Sequence, residues 1–478
     1  FLRYGWEMRM RDRSGKWAIF TVTAVGVFMS TLDGSIVNVA LPAVMQDLGV
    51  PMPTVEWVMM IYLLTVSSLL LSFGRLGDIR GRRWVYTRGL GVFSAGSLCC
   101  AMADSALWLI GARAFQGVGA AMVMSCTQAI VVDAFPASER GRALGVLGAV
   151  VASGLTVGPA LGGWILHVAS WPFIFWINIP IGVGAALWAN RLLRHRQVDV
   201  TRRESFDGWG ALFLALGMGA MLAALTHGYD WGYGSIPFLS LSGLFLASSL
   251  GFVRREIRTP HPLISPSLLR IRLFVLPVLA GMILFAGLFT IIFLMPFFLM
   301  HPRGLSPGDT GLIMVTPFIF LFLFAPLSGA LSDRLGSRWL CTLGMAVLTA
   351  SFVLLSRLTP EASKIEIAWR LAVSGIGTGL FIAPNNAAAM SAVPRKFMGV
   401  AAGTVATVRN LGMVLGIALA GTLFNSAFHA SSGGRLLKVY TPDLEPVFME
   451  AFRHAMSSGI ALGAIGIVVA FLRGRDEK

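Results

Sequence analysis

Asp33 lies inside the first long apolar run of the chain, within Leu32-Asp33-Gly34-Ser35-Ile36-Val37-Asn38-Val39-Ala40-Leu41-Pro42. A charged side chain at the centre of a bilayer costs roughly 2.5–3.5 kcal/mol on insertion scales, and an ionisable group kept there is a functional candidate by default. The chemistry open to a lone carboxyl in such a place is proton binding and release. The bland alternative is a structural acid that pairs or reaches water at a helix end. A second intramembrane charge, Arg113, falls in the fourth apolar run, with Gln116 one helical turn on. It needs a carboxylate, backbone carbonyls or a water cavity as partner. In the first half of the chain Asp33 is the only deep carboxylate, so Arg113 is read as the residue that tunes Asp33. The alternative is a structural Arg bonded to carbonyls. No other chemistry competes. The seven His are scattered, and the four Cys (Cys99, Cys100, Cys126 and Cys341) all lie in apolar runs. No Ser/His/Asp arrangement, metal-ligand spacing or phosphate loop is present, so neither an enzyme nor a metal or organic cofactor is expected; the only coupling species is the proton.

The elements that must hold these groups are membrane helices. The 478 residues are 56% hydrophobic and 13% charged, against about 25% charged in soluble domains, and the mean hydropathy is +0.74. A spanning helix needs about 20 mostly apolar residues. Fourteen segments qualify, at 17–44, 55–75, 84–103, 107–131, 141–167, 171–190, 206–226, 236–253, 273–299, 309–332, 339–356, 366–390, 399–424 and 451–472. The basic stretch Arg9 to Lys16 leads into a segment too long for a cleavable signal.

The net charge of +15 is a topology signal. Alternate connections carry 29 of the 38 basic residues and the opposite ones carry six, with Arg113, Arg370 and Arg409 inside segments. Basic residues favour the cytoplasmic side. A multi-pass protein of the inner membrane with both termini cytoplasmic is therefore expected, and nucleic acid is excluded as a partner.

Glycines expose an internal repeat. Gly74, Asp78, Gly81 and Arg83 recur as Gly329, Asp333, Gly336 and Arg338, offset by 255. The offset then settles at 258, pairing Gly117 with Gly375, Pro136 with Pro394, Gly158 with Gly416 and Gly163 with Gly421. The chain thus divides into a tail (1–16), an N-terminal six-helix half (17–204), two inserted helices (205–253), a basic linker (254–272) and a C-terminal six-helix half (273–478). Two parallel halves put a substrate site between them near mid-membrane.

Four motifs carry a resemblance over nearly the whole chain. They are the Leu32–Pro42 stretch, Gly74-Arg75-Leu76-Gly77-Asp78-Ile79-Arg80-Gly81-Arg82-Arg83, Arg113-Ala114-Phe115-Gln116-Gly117-Val118-Gly119, and Gly154-Leu155-Thr156-Val157-Gly158-Pro159-Ala160-Leu161-Gly162-Gly163. The sequence resembles the fourteen-helix drug/proton antiporters of the major facilitator superfamily. Ser35 stands where that family usually has Thr. The resemblance implies an all-α polytopic fold of two six-helix halves plus two inserted helices. It also implies export of substrate in exchange for protons, with the helix-4 Arg tied to proton transfer.

Each motif has a physical reading. In the 74–83 loop, Gly74 and Gly81 permit close approach and a tight turn, and Asp78 can meet a helix N-terminus or an Arg. The loop is read as a gating latch (Gly74, Asp78, Gly81, Arg83), copied weakly by Asp333 and Arg338, or else as a basic turn serving topology. Gly154, Gly158 and Gly162 share a helix face with Gly163 beside them, a spacing that lets backbones approach, and Pro159 bends the helix. This is a pivot between the halves, or plain helix packing. The aromatic crowding of segments nine and ten, with Phe289 and Phe293 among eight Phe, suits a greasy, loosely specified ligand. Asn38, Gln116 and Arg409 are its candidate polar fixtures. The expected partners are small hydrophobic or amphipathic substrates, protons and membrane lipids, handled by a monomer. Competing expectations are export of a lipid or of a single metabolite by the same fold, and a non-transporting membrane sensor or scaffold. The 425–450 connection, with turns at Gly433, Gly434 and Pro442, is the longest of its side.

Overall fold

The structure, a computed structural model, describes residues 2–136, 138–193, 207–259, 268–394 and 397–474. Among these the chain is all-helical. Its long helices are α1 (Leu2–Asp47), α2 (Met52–Arg80), α3 (Arg82–Ala101), α4 (Ala106–Ala134), α5 (Arg140–Val168) and α6 (Phe173–Leu192, broken at Ile177). There follow α7 (Gly208–Trp231), α8 (Ile236–Arg258), α9 (Arg272–Met300), α10 (Pro307–Leu335), α11 (Ser337–Leu355), α12 (Lys364–Ser391), α13 (Met398–Ser431) and α14 (Glu445–Leu472). Thirteen are long and apolar enough to cross a membrane. The remaining one, α3, is diluted by Arg82, Arg83 and Arg88 and by small and polar residues such as Gly89, Ser94, Gly96 and Ser97. It is nevertheless built into the bundle, because its glycines let it press onto α4: a Cβ at Gly89 would meet Gly119 O at 3.2 Å, and one at Gly96 would meet the Gln116 backbone N at 2.8 Å.

The two halves pack alike. In the first, α3 lies on α4, α2 on α4, α1 on α5 and α3 on α6; in the second, α11 lies on α12, α10 on α12, α9 on α13 and α11 on α14. Gly81 (φ +93°) and Gly336 (φ +79°) end α2 and α10 in the same left-handed turn, which is the physical content of the 255 offset. Two seams join the halves, α5 against α10 and α2 against α13. The inserted α7 lies over the second seam, touching both α2 and α13, while α8 packs mainly on α7. The linker expected at 254–272 falls partly on residues outside those described.

Below, the basic side is the bundle face carrying the Arg-rich connections, and the far side is its opposite. The 425–450 connection is shorter than the sequence suggests, since α13 continues to Ser431 and α14 begins at Glu445. What remains lies over the far side: Leu437, 1% exposed, accepts a bond from the Met52 backbone N–H at 3.1 Å, and Tyr440 stacks on His301 with centroids 5.2 Å apart.

Candidate functional site

Asp33 is fully buried on α1, among donors from α4 and α6. Arg113 Nη1 donates to its Oδ2 at 2.5 Å. Gln116 Nε2 and Asn178 Nδ2 both donate to its Oδ1, at 2.9 and 2.8 Å. The carboxylate therefore has a donor on each oxygen. The guanidinium is held as tightly: Nε donates to Val58 O at 3.1 Å, Nη1 also reaches Gln116 Oε1 at 2.6 Å, and Cζ sits 4.1 Å from the Tyr62 ring centroid. Gln116 further donates to Ser97 Oγ at 2.8 Å, and Tyr62 donates to Ser30 O at 3.1 Å. A charge-assisted network that fills both carboxylate oxygens is strong and specific, although Asn178 Oδ1 is left without a partner among the described residues. The structure thus brings Asp33, Arg113 and Gln116 together, and adds Asn178, Tyr62 and Ser97. Asn178 starts the second piece of α6, just after the break. An amide ahead of Pro180 at a helix break was the signal for it.

Arg370, near-counterpart of Arg113 in the repeat, has a different setting. It bonds Glu366 at 2.5 Å and Leu354 O at 2.7 Å near the far-side end of α12. The position 258 residues after Asp33 is Ile291, so the second half has no acid at the place equivalent to Asp33.

A cavity lies between α9, α12 and α13, lined by Pro277, Gly281, Phe285, Phe381, Asn385, Asn386 and Arg409 among others. Arg409 faces Phe285 at 5.8 Å, and its Nε has no partner. Phe289 and Phe293 are 6% and 0% exposed in the packed core and do not line this cavity. Asn38 bonds only within its helix, to Gly34 O at 3.4 Å, and its Oδ1 is unpartnered.

The 74–83 stretch is less of a loop than the sequence suggests, since α2 runs to Arg80 and α3 starts at Arg82 with Gly81 alone between them; within it Asp78 pairs with Arg82 at 2.8 Å, and Arg82 also reaches Asp133 of α4 at 2.5 Å. Arg83 donates to the Asn190 backbone and side-chain oxygens at 3.0 and 2.8 Å. The loop thereby ties α2, α4 and α6 on the basic side. A Cβ at Gly74 would sit 4.0 Å from Ser125 Cβ, an ordinary contact. Arg338 lies over the Phe471 ring at 4.0 Å, and the Asp333 side chain is outside those described.

The helix-5 glycines divide between two partners. Gly154, Gly158 and Gly162 face α1 of the same half, against Thr31, Ser35 and Ile36. Gly163 faces the other half, where a Cβ would meet Pro307 O and would lie 2.9 Å from Gly311 Cα, while Gly311 in turn lies against Pro159 O. Far-side contacts that bind the halves include Gly163 with Gly311, Glu56 with Asn425, and Met52 with Leu437. On the α2–α13 seam the contact extends toward the basic side as far as Leu71 and Gly403.

A sequence profile described as Major Facilitator Superfamily matches residues 23–416 and 277–478. The chain belongs to the major facilitator superfamily. It is 35% identical over 463 residues to the riboflavin transporter RibZ of Clostridioides difficile, covering 97% of this chain and 99% of the relative. It is 30% identical over 444 residues to the multidrug transporter protein MdtP of Bacillus subtilis (93% and 81% covered). It is 32% identical over 403 residues to the multidrug resistance protein Stp of Mycobacterium tuberculosis (84% and 74% covered). Among solved structures, a bacterial homologue of the human lysosomal transporter Spinster, inward-facing and unoccupied, matches with TM-score 0.66 at 16% identity, covering 96% of this chain and 97% of that one; this shows the fold alone. The protein is a multi-pass membrane transporter of this superfamily, not an enzyme.

Proposed function

We propose that the protein is a proton-coupled antiporter that exports hydrophobic or amphipathic compounds by alternating access. The observation that carries this reading is the buried Asp33 carboxyl held by Arg113, Gln116 and Asn178. A proton arriving at Asp33 neutralises the partner of a buried guanidinium, so the network must rearrange, and that rearrangement is the coupling step. One charge crossing 100 mV is worth about 2.3 kcal/mol. With one such acid in the network, one proton per cycle is the expected stoichiometry. The 74–83 loop then acts as the basic-side latch and the α5–α10 contact as the pivot. The multidrug relatives favour a loosely specified substrate. The riboflavin transporter relative favours the second reading, transport of a single metabolite.

The test is transport in proteoliposomes under an imposed pH gradient, with a lipophilic cation and riboflavin assayed in parallel. Wild type accumulates its substrate against the proton gradient and Asp33→Asn loses that coupling. An Asp33→Asn protein that exchanges substrate for protons at the wild-type rate refutes the reading.

A further inference from the structure

Glu56 is a second carboxyl within the bundle that the coupling network does not use. It lies on α2, one turn in from the far-side end, and is fully buried. Its carboxyl group rests on Gly421 of α13, where any Cβ would collide with Cδ and both oxygens. Gly421 is the repeat partner of Gly163, so equivalent glycines close the two seams. At Gly163 one seam sets backbone against Gly311; at Gly421 the other sets a carboxyl against the glycine.

The bonding of that carboxyl is incomplete in a specific way. Asn425 Nδ2, one turn beyond Gly421, donates to Glu56 Oε1 at 2.8 Å. Among the described residues, Glu56 Oε2 and Asn425 Oδ1 are both buried without a partner. A carboxylic acid and a primary amide form two complementary bonds, N–H to one oxygen and O–H from the other. The first of these is present, and Glu56 Oε2 and Asn425 Oδ1 are the two atoms that the second would join. A proton on Oε2 completes the pair and removes an uncompensated charge from the interior, where ionised groups stand only when paired. The titratable neighbours offer no substitute. Tyr229 of α7 is within electrostatic reach, with Asp230 beside it, and His429 of α13 meets the Tyr229 ring at 6.0 Å. Asp33 differs, since donors already fill both its oxygens.

We infer that Glu56 is a second proton-binding site, set in the far-side seam between the halves and loaded while that seam is shut. Glu56 belongs to one half, and Gly421 and Asn425 to the other. Parting the seam withdraws both and opens the carboxyl to the far side. The proton is taken up and returned on the same side, so Glu56 adds nothing to transport stoichiometry. It makes the closed state more favourable as the far-side medium becomes acidic. The link to opening rests on the alternating-access reading; the presence of the proton does not.

Infrared spectroscopy of the full-length protein in lipid tests the proton directly. The carbonyl band of a protonated carboxyl is expected at neutral pH in wild type, retained in Asp33→Asn and lost in Glu56→Gln, whose amide mimics the protonated pair. An identical band in Glu56→Gln overturns the inference. Asn425→Leu keeps the acid and removes its amide, so the band must shift in frequency; an unshifted band overturns the pairing. For the gate, spin labels on the far-side ends of α2 and α13 are compared in an Asp33→Asn background. The separation is expected to widen as pH rises and to lose that dependence when Glu56→Gln is added. Equal widening with and without Glu56→Gln refutes the gating role while leaving the infrared result standing by itself.

Discussion

Ser35 and Gly158 meet across the α1–α5 contact with no room for a methyl group between them. Ser35 Oγ donates to Leu32 O at 3.0 Å and to Gly154 O at 3.1 Å, so the hydroxyl bonds a backbone that only glycines allow so close. Adding a methyl to a packed contact costs about 1–3 kcal/mol. Gly158→Ala is expected to lower the thermal unfolding midpoint by that equivalent, and Ser35→Gly in the same chain to recover much of it. Differential scanning fluorimetry of the single and double variants in detergent measures both.

Removing one member of a buried ion pair strands the other charge, at about 3–5 kcal/mol. Asp33→Asn leaves Arg113, 1% exposed, facing an amide. The single variant should be markedly less stable than wild type, and Asp33→Asn with Arg113→Gln less affected than the sum of the two single changes. A double-mutant cycle on unfolding midpoints supplies the coupling energy, and additive values would count against the pairing.

Arg82 and its two aspartates are one-third to one-half exposed. Ion pairs of that kind contribute at most about 1 kcal/mol and fade with salt. Arg82→Ala should therefore hardly move the unfolding midpoint. If the loop is a latch, the same variant slows transport several-fold. A fall in transport explained wholly by lost protein would reduce the loop to a topological turn.

His301 stands just beyond α9, under Tyr440. Burial pushes its imidazole down from 6.5 to about 4. The unfolded chain thus takes up a proton at this residue below about pH 6.5 while the folded protein refuses it until about pH 4. This residue has no effect on stability at neutral pH and destabilises progressively as pH falls through that window. His301→Phe is expected to flatten the acid side of the stability profile between those values, as read from melting temperatures at a series of pH values.

Arg409 puts a positive charge in the α9–α12–α13 cavity, and its Nε has no partner among the described residues. Where that cavity meets substrate, Arg409→Gln should improve transport of lipophilic monocations relative to neutral dyes of similar size. Competition assays with matched cationic and neutral probes measure the ratio. An unchanged ratio would place the substrate elsewhere.

The sequence made the charged residues legible because a charge in an apolar run stands out whatever the fold. Asp33 and Arg113 are found for that reason, and Gln116 through its place one turn from Arg113. Asn178 is in the sequence one of several amides that could serve as polar fixtures of a cavity, and nothing sets it apart until the helix break aims it at Asp33. The repeat was visible through glycines, whose positions are set by backbone contact and survive when side chains diverge. Their partners were not visible: spacing shows that Gly154, Gly158 and Gly162 share a face, and only the packed helices show that α1 occupies it. Phe289 and Phe293 illustrate the same limit, since composition gives an aromatic helix no inside or outside.

The weak hydropathy of α3 bears on how the chain enters its membrane. Arg82–Ala101 is less apolar than the other thirteen long helices, and insertion energies sum residue by residue. Its glycine contacts with α4 supply what its own side chains lack. The two helices are then expected to leave the translocon as a hairpin joined by the short 102–105 turn. A nascent chain truncated before Ala106 should leave α3 accessible to water-borne reagents until α4 is made.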